Sequence, residues 1–238
     1  MGECWGEGTA TFMILGNICT RSCGFCNVMT GRPLPVDELE PFKVAKSIYL
    51  MKVKHAVITS VDRDDLKDGG ASFWVKTINA IRRKNPNTTI ETLIPDFKGN
   101  EKDIQLIVDV APEVVSHNLE TVRRLTKKVR IQAKYDRSLD TLRFLSDRGI
   151  KTKSGIMLGL GETEEEIFET MHDLRNVGVQ IMTIGQYLQP SKKHLPVIEF
   201  IQPNQFFKYK EMGLQLGFRH VESGPLVRSS YHAEKHIL

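Results

Sequence analysis

No apolar run in this chain of 238 residues approaches the length that spans a bilayer. The N-terminus also lacks the basic, apolar and small-residue succession of a secretion signal, so a cytoplasmic protein with no membrane partner is expected. Cysteine is scarce, with four in all, and three of them fall between positions 19 and 26. In a reducing compartment disulfides do not persist, and bridges across such short loops are strained, which argues against a disulfide framework. Dense basic blocks are missing too. The net charge of +4 comes from 33 basic and 29 acidic residues interspersed with one another. That pattern argues against nucleic-acid binding and leaves a mild preference for an acidic protein partner. None of the seven histidines forms a zinc or catalytic constellation. His117 reads as packing or a local hydrogen bond, and His232 and His236 as surface residues of a mobile end.

What is present is alternation. Short apolar runs at 11–17, 55–61, 89–95, 113–119, 153–160 and 180–188 are separated by helical patterns. This predicts repeated βα units and a parallel sheet. Right-handed crossovers would curl six such units into a partial parallel (β/α)6 barrel, an α/β fold, with an open doubly wound sheet as the alternative. Thr163 and Glu166 predict a capping box for a helix that carries Ile167, Met171 and Leu174 and stops at Gly178. Ser138 predicts the cap of a helix over 138–148, and Pro41 the start of another. With no linker or low-complexity stretch, residues 1–238 read as one domain. The last stretch, 218–238, lies outside the βα pattern and reads as a terminal cover.

The cysteine segment "GNICTRSCGFCNV" directly follows the first candidate strand. In parallel α/β folds ligands gather at the carboxyl ends of strands. Three thiolates in a tight loop suit zinc or an iron–sulfur cluster. Zinc in a closed structural site wants a fourth protein ligand, and no histidine is near in sequence. A cubane cluster held by Cys19, Cys23 and Cys26 leaves one iron open. The C-x3-C-x2-C spacing, with Phe25 before the last cysteine, resembles the signature of the radical S-adenosylmethionine superfamily. Further stretches, "GECWGEG", "VITSVDRDDLKDGGA", "SHNLETV", "KSGIMLGLGET" and "GPLVRSSYHA", resemble the lipoyl synthase family in that family's order and over nearly the whole chain.

The resemblance implies insertion of two sulfur atoms into an octanoyl chain borne on a lysine of a lipoyl carrier protein, such as H protein or an E2 lipoyl domain. It implies a [4Fe-4S] cluster, S-adenosylmethionine, and an electron donor such as flavodoxin or ferredoxin. The sulfur would come from an auxiliary [4Fe-4S] cluster, for which Cys4 matches the last of three N-terminal cysteines and Ser230, with Ser229 close behind, matches the serine ligand. The first two cysteines of that set are absent, so residues 1–15 read as the remnant of an auxiliary segment in a shortened chain. As written, the chain is expected to cleave S-adenosylmethionine but insert sulfur poorly.

For the cofactor, Thr59, Ser60, Asn118 and Glu120 stand at strand ends, where lone polar residues otherwise form turns. Gly69 and Gly70 resemble the superfamily's glycine pair, although Ala71 follows where an acid is common. Arg137 is a candidate for the cofactor carboxylate. "GLGET" lacks the spacing and lysine of a phosphate loop. No catalytic side chain is expected beyond these ligands. The rivals are a biotin-synthase-like sulfur inserter acting on a free small substrate, and a non-catalytic metal-binding protein.

Overall fold

The computed structural model describes residues 6–237, so Cys4 lies outside the described residues. It divides into two compact units, one of residues 6–21, 28–116 and 232–237, the other of 22–27 and 117–231. Each repeats strand and helix, and every strand ladder within them is parallel, so the α/β class read from sequence holds.

The first unit has β1 (Thr9–Ile14), a two-residue ladder of β2 (Ile18–Cys19) with β3 (Met29–Thr30), then β4 (His55–Ser60), β5 (Thr89–Leu93) and β6 (Val114–Ser116). β1, β4, β5 and β6 lie side by side in that order. Helices α1 (Glu40–Leu50), α2 (Ala71–Lys84) and α3 (Glu101–Val110) are the crossovers. Pro41 sits in the first turn of α1, where its missing N–H costs nothing, and Val44, Ala45 and Ile48 form the buried stripe. In α2 the stripe is Phe73, Trp74, Thr77, Ile78 and Ile81.

The C-terminal tail is built into this unit rather than lying loose on its surface. Thr9 Oγ1 donates to Glu234 Oε2 at 2.8 Å. His236, expected at the surface, is fully buried with Nδ1 3.9 Å from Glu91 Oε2. One apolar run is too little to bury a tail, so the sequence pattern misses a segment held by polar contacts.

The second unit contains β7 (Thr152–Leu158), β8 (Ile181–Gln186) and β9 (His220–Gly224), with α4 (Arg123–Val129), α5 (Tyr135–Asp147), α6 (Glu164–Asn176) and α7 (Pro203–Gln215). Its core gathers Leu142, Met171, Leu174, Met182, Ile184, Tyr187 and Phe206. The capping box of α6 is as expected: Thr163 Oγ1 accepts from Glu166 N at 3.3 Å, and Glu166 Oε2 from Thr163 N at 2.9 Å.

Two expectations change. Helix α5 begins at Tyr135, three residues before the predicted cap. Ser138 is fully buried inside it, with its hydroxyl against His117 Nε2 at 2.9 Å and Arg130 Nη1 at 3.3 Å, so it has no spare capacity to cap. The six predicted strands are joined by a seventh, β9, inside the segment read as a cover. It pairs with β8 from Ile181↔His220 to Gly185↔Gly224. "HVESG" has a single apolar residue, so no period of two announces it.

After β9 the chain turns back onto β8 at Gly185. A Cβ there would lie 2.2 Å from the Val227 carbonyl oxygen, too close for any side chain. Gly185→Ala therefore has to push the 224–227 segment off β8. The expected cost is about 1–3 kcal/mol, seen as a lower denaturant midpoint together with faster proteolysis of that segment.

Candidate functional site

The cysteine loop is shaped by backbone before side chains. β1 ends in a left-handed pair, Leu15 (φ 68°) and Gly16 (φ 88°), which reverses the chain into β2. The Cys19↔Thr30 pairing and the Gly31 N–H on the Cys19 carbonyl (3.0 Å) close the base of a loop over 20–28. Within the first unit Cys19 is buried, and its Sγ accepts from Asp62 N (3.3 Å) and Arg21 N (3.4 Å). Two N–H dipoles aimed at a sulfur favour the thiolate, the form that binds iron.

Within the second unit the other two cysteines are half-buried and held by main chain. Cys26 N donates to the Cys23 carbonyl at 3.1 Å. Between them Gly24 N donates to Val129 O (2.8 Å), and Gly24 O accepts from Leu195 N (3.0 Å). His194 Nε2 stands 3.1 Å from Cys26 O and its Nδ1 2.9 Å from Ser191 Oγ. A carbonyl can only accept, so Nε2 carries the proton and Nδ1 accepts from the serine. The three described cysteines form no disulfide. Among the described residues no three Cys, His, Asp or Glu side chains are grouped to hold one metal ion.

The segment after β4 holds residues 19–21 in place, and no local sequence pattern points to this. Arg21 and Arg63 are each only 3% exposed at the side chain. Arg63 forks onto Asp65 (2.9 Å twice) and reaches Leu15 O and Leu34 O, while Arg21 is enclosed by Asp62, Asp64 and Asp96. Burial works against the Arg21 charge, but its bonds to Asp64 and Asp96 and the field of Asp62 outweigh it and raise its pKa. Removing that guanidinium would leave facing carboxylates unpaired, at about 3–5 kcal/mol. A run such as "VDRDD" ordinarily reads as a solvated face; the only signal against that was arginine alternating with acids right after a buried strand.

Of the cofactor candidates, the first unit holds four. Thr59 and Ser60 end β4, half-buried, and the Ser60 hydroxyl oxygen is buried with no hydrogen-bond partner. Gly69 (φ 59°) and Gly70 (φ 90°) make the turn into α2, and a Cβ on Gly70 would lie 2.7 Å from Leu15 Cδ1. The Gly70 carbonyl accepts from Phe73 N and Trp74 N, so it serves the first turn of α2.

The second unit holds three. Asn118 Nδ2 donates to Glu120 Oε1 at 3.1 Å, so these two are brought together. Asn118 Oδ1 is buried without a partner and packs close to Gly155, where a Cβ would meet Thr183 Oγ1 at 2.3 Å and that oxygen at 3.3 Å. Glu120 takes φ 66°, bridging to Ile156, with its N–H on Gly155 O. Burial pushes its carboxyl pKa up, against the pull of the Arg130 charge and the Asn118 amide. Arg137, in the first turn of α5, donates to Gln132 O at 2.9 Å. In "GLGET" the Glu162 carboxylate accepts from both Gly159 N and Leu160 N, so the donors a phosphate would need are already taken. Ser229 and Ser230 are half-buried in the turn closed by Tyr231 N on Arg228 O (2.9 Å).

Comparison with known proteins supplies the rest. Residues 13–174 match the Radical SAM superfamily. The chain is 73% identical to the lipoyl synthase of Flavobacterium johnsoniae over 239 residues, covering all of this chain and 83% of that protein. It is also 73% identical to a mitochondrial lipoyl synthase of Nematostella vectensis over 238 residues, covering 82% of that protein. The solved FeFe-hydrogenase maturase HydG from Carboxydothermus hydrogenoformans superposes on 96% of this chain with a TM-score of 0.69 at 14% identity, a likeness of fold alone; the chain spans 65% of its length. Among the described residues no helix is long and apolar enough to cross a membrane.

Proposed function

Because the chain belongs to the radical SAM superfamily and, within it, to the lipoyl synthases, we propose that it inserts two sulfur atoms into an octanoyl chain carried on a lysine of a lipoyl carrier protein. Identity of 73% to two lipoyl synthases along the full chain carries this reading. It is a sulfur-inserting enzyme, and its substrate in general terms is a lipoyl carrier protein. H protein or an E2 lipoyl domain as carrier, flavodoxin or ferredoxin as electron donor, and a cytoplasmic location belong to the proposal.

The residues present fit a [4Fe-4S] cluster and S-adenosylmethionine. The donor set of the loop is all thiol, and one sulfur already receives two N–H groups. Asn118 Oδ1 and Ser60 Oγ are buried polar atoms that lack partners. When bound, a cluster reduced by an outside donor would supply the one electron that breaks the sulfonium of S-adenosylmethionine, releasing methionine and giving a carbon radical able to remove hydrogen from a saturated carbon.

Cys19, Cys23 and Cys26 would hold three corners of the cluster. Asn118 Oδ1 can only accept, so an amino or hydroxyl group is its natural complement, whereas Ser60 and Thr59 can give or take a hydrogen bond. Glu120, kept in place by Asn118, suits a ribose hydroxyl, and Arg137 a carboxylate. Gly69 and Gly70 shape the turn that leads into α2. Cys4 and Ser230 would belong to the auxiliary sulfur-donor cluster, with residues 1–238 working as one catalytic domain.

The test is an oxygen-free assay of the iron-loaded chain with dithionite, S-adenosylmethionine and an octanoyl-lysyl peptide. Nucleoside release together with sulfur-containing peptide, read by mass spectrometry, is the expected result. No nucleoside from iron-loaded protein, or a sulfur product only from a free small acid, overturns the reading.

A further inference from the structure

Arg21 lies between two of the loop's cysteines, yet its side chain turns into the protein. Nε is 2.7 Å from Asp64 Oδ2, Nη2 is 2.9 Å from Asp64 Oδ1 and 2.7 Å from Asp96 Oδ1, and Nη1 is 3.3 Å from Asp62 Oδ1. Asp96 is fully buried. Thr20 adds a second lace, with N and Oγ1 both donating to Asp62 O (3.0 and 2.9 Å) and Oγ1 accepting from Asp64 N (3.0 Å). The 62–64 backbone is thereby fixed against 19–21, and this is what brings the Asp62 N–H onto Cys19 Sγ. The Cys19 thiol also donates to Asp62 Oδ2 at 3.8 Å, a bond that is lost once the sulfur becomes the thiolate that iron requires. A carboxylate so near a thiolate repels it unless a cation stands beside the pair.

We propose that Arg21 is a positioning residue for the first cluster ligand: clamped by Asp62, Asp64 and Asp96, it holds two backbone N–H groups on Cys19 Sγ, offsets the neighbouring Asp62 charge, and so raises the reduction potential of the cluster on that loop. The proposal rests on the reading of Cys19 as an iron ligand. N–H groups on a ligating sulfur and a compensating cation both favour taking up an electron. The side chain must be arginine because only a planar fork can bind three carboxylates from fixed directions; an ammonium keeps the charge but not the geometry.

The experiment is a redox titration of the anaerobically reconstituted full chain, followed by electron paramagnetic resonance. The signal counted is the one that changes when S-adenosylmethionine is added. Arg21→Lys and Asp96→Asn are both expected to lower the midpoint potential and alter the g values. An iron-loaded Arg21→Lys protein with unchanged potential and g values overturns the proposal. So does a rise in Asp96→Asn, because removal of a negative charge alone moves the potential up while loss of the clamp moves it down. If Arg21→Lys fails to load iron, the sign in Asp96→Asn decides. Cys19→Ala tests the underlying reading separately: a surviving signal there means Cys19 is not a ligand.

Discussion

Replacing any one of Cys19, Cys23 or Cys26 by alanine is expected to reduce 5′-deoxyadenosine release by at least about a thousandfold, because the acceleration an enzyme gives commonly exceeds a millionfold and all of it depends on the cluster. Stability should separate the three. Cys19 is buried and its sulfur receives the N–H groups of Arg21 and Asp62. Alanine there strands two donors, at about 1–3 kcal/mol. Cys23 and Cys26 are half-buried and held through backbone atoms, which alanine retains. The apo form of Cys19→Ala should therefore lose more stability than Cys23→Ala or Cys26→Ala, whose side chains are only half-buried. Cys19→Ser, which keeps an acceptor for the two donors, should recover much of that stability without nucleoside release. Chromatography of the nucleoside and calorimetry of the apo proteins check both halves. Persistent release from any alanine variant would remove that cysteine from the cluster.

The elements that sequence makes legible are those with a local cause. The α6 helix is announced by Thr163 and Glu166 because a capping box lies within four residues of chain, and its apolar stripe repeats at the helical period. Buried parallel strands such as β4 and β8 stand out as short apolar runs between turn residues. Elements with a distant cause are hidden. β9 has no pattern of its own and exists because β8 offers it a pairing edge. The start of α5 is masked because Ser138, a good cap by residue type, spends its hydroxyl on His117 and Arg130. His236 looks like a surface histidine until Glu91, far back in the chain, is seen beside it.

The site divides in the same way. Its cysteines are legible because three ligands of one cluster sit close in sequence. The groups that hold Cys19 are not, since Asp62, Asp64 and Asp96 come from loops 43 to 75 residues further on. Asn118 and Glu120 are legible by their place at a strand end, but what gives them weight is that the Asn118 Oδ1 is buried without a partner, which no sequence pattern announces.

The second large effect expected is a separation of the two chemistries. Three of the cysteines belong to the loop, and the auxiliary cluster proposed above would draw on Cys4 and the hydroxyl of Ser230. A hydroxyl oxygen is a hard, weak ligand for iron, suited to a corner that must be vacated when sulfide leaves. Its segment is placed within the second unit by Val227, which is seated on Gly185 of β8. Ser230→Ala should hold nucleoside release within about twofold of the parent, the scatter of a substitution away from the chemistry, while the sulfur product disappears. Nucleoside and peptide product measured in one reaction decide the matter. Sulfur insertion that persists in Ser230→Ala would show that the sulfur donor is held by other residues.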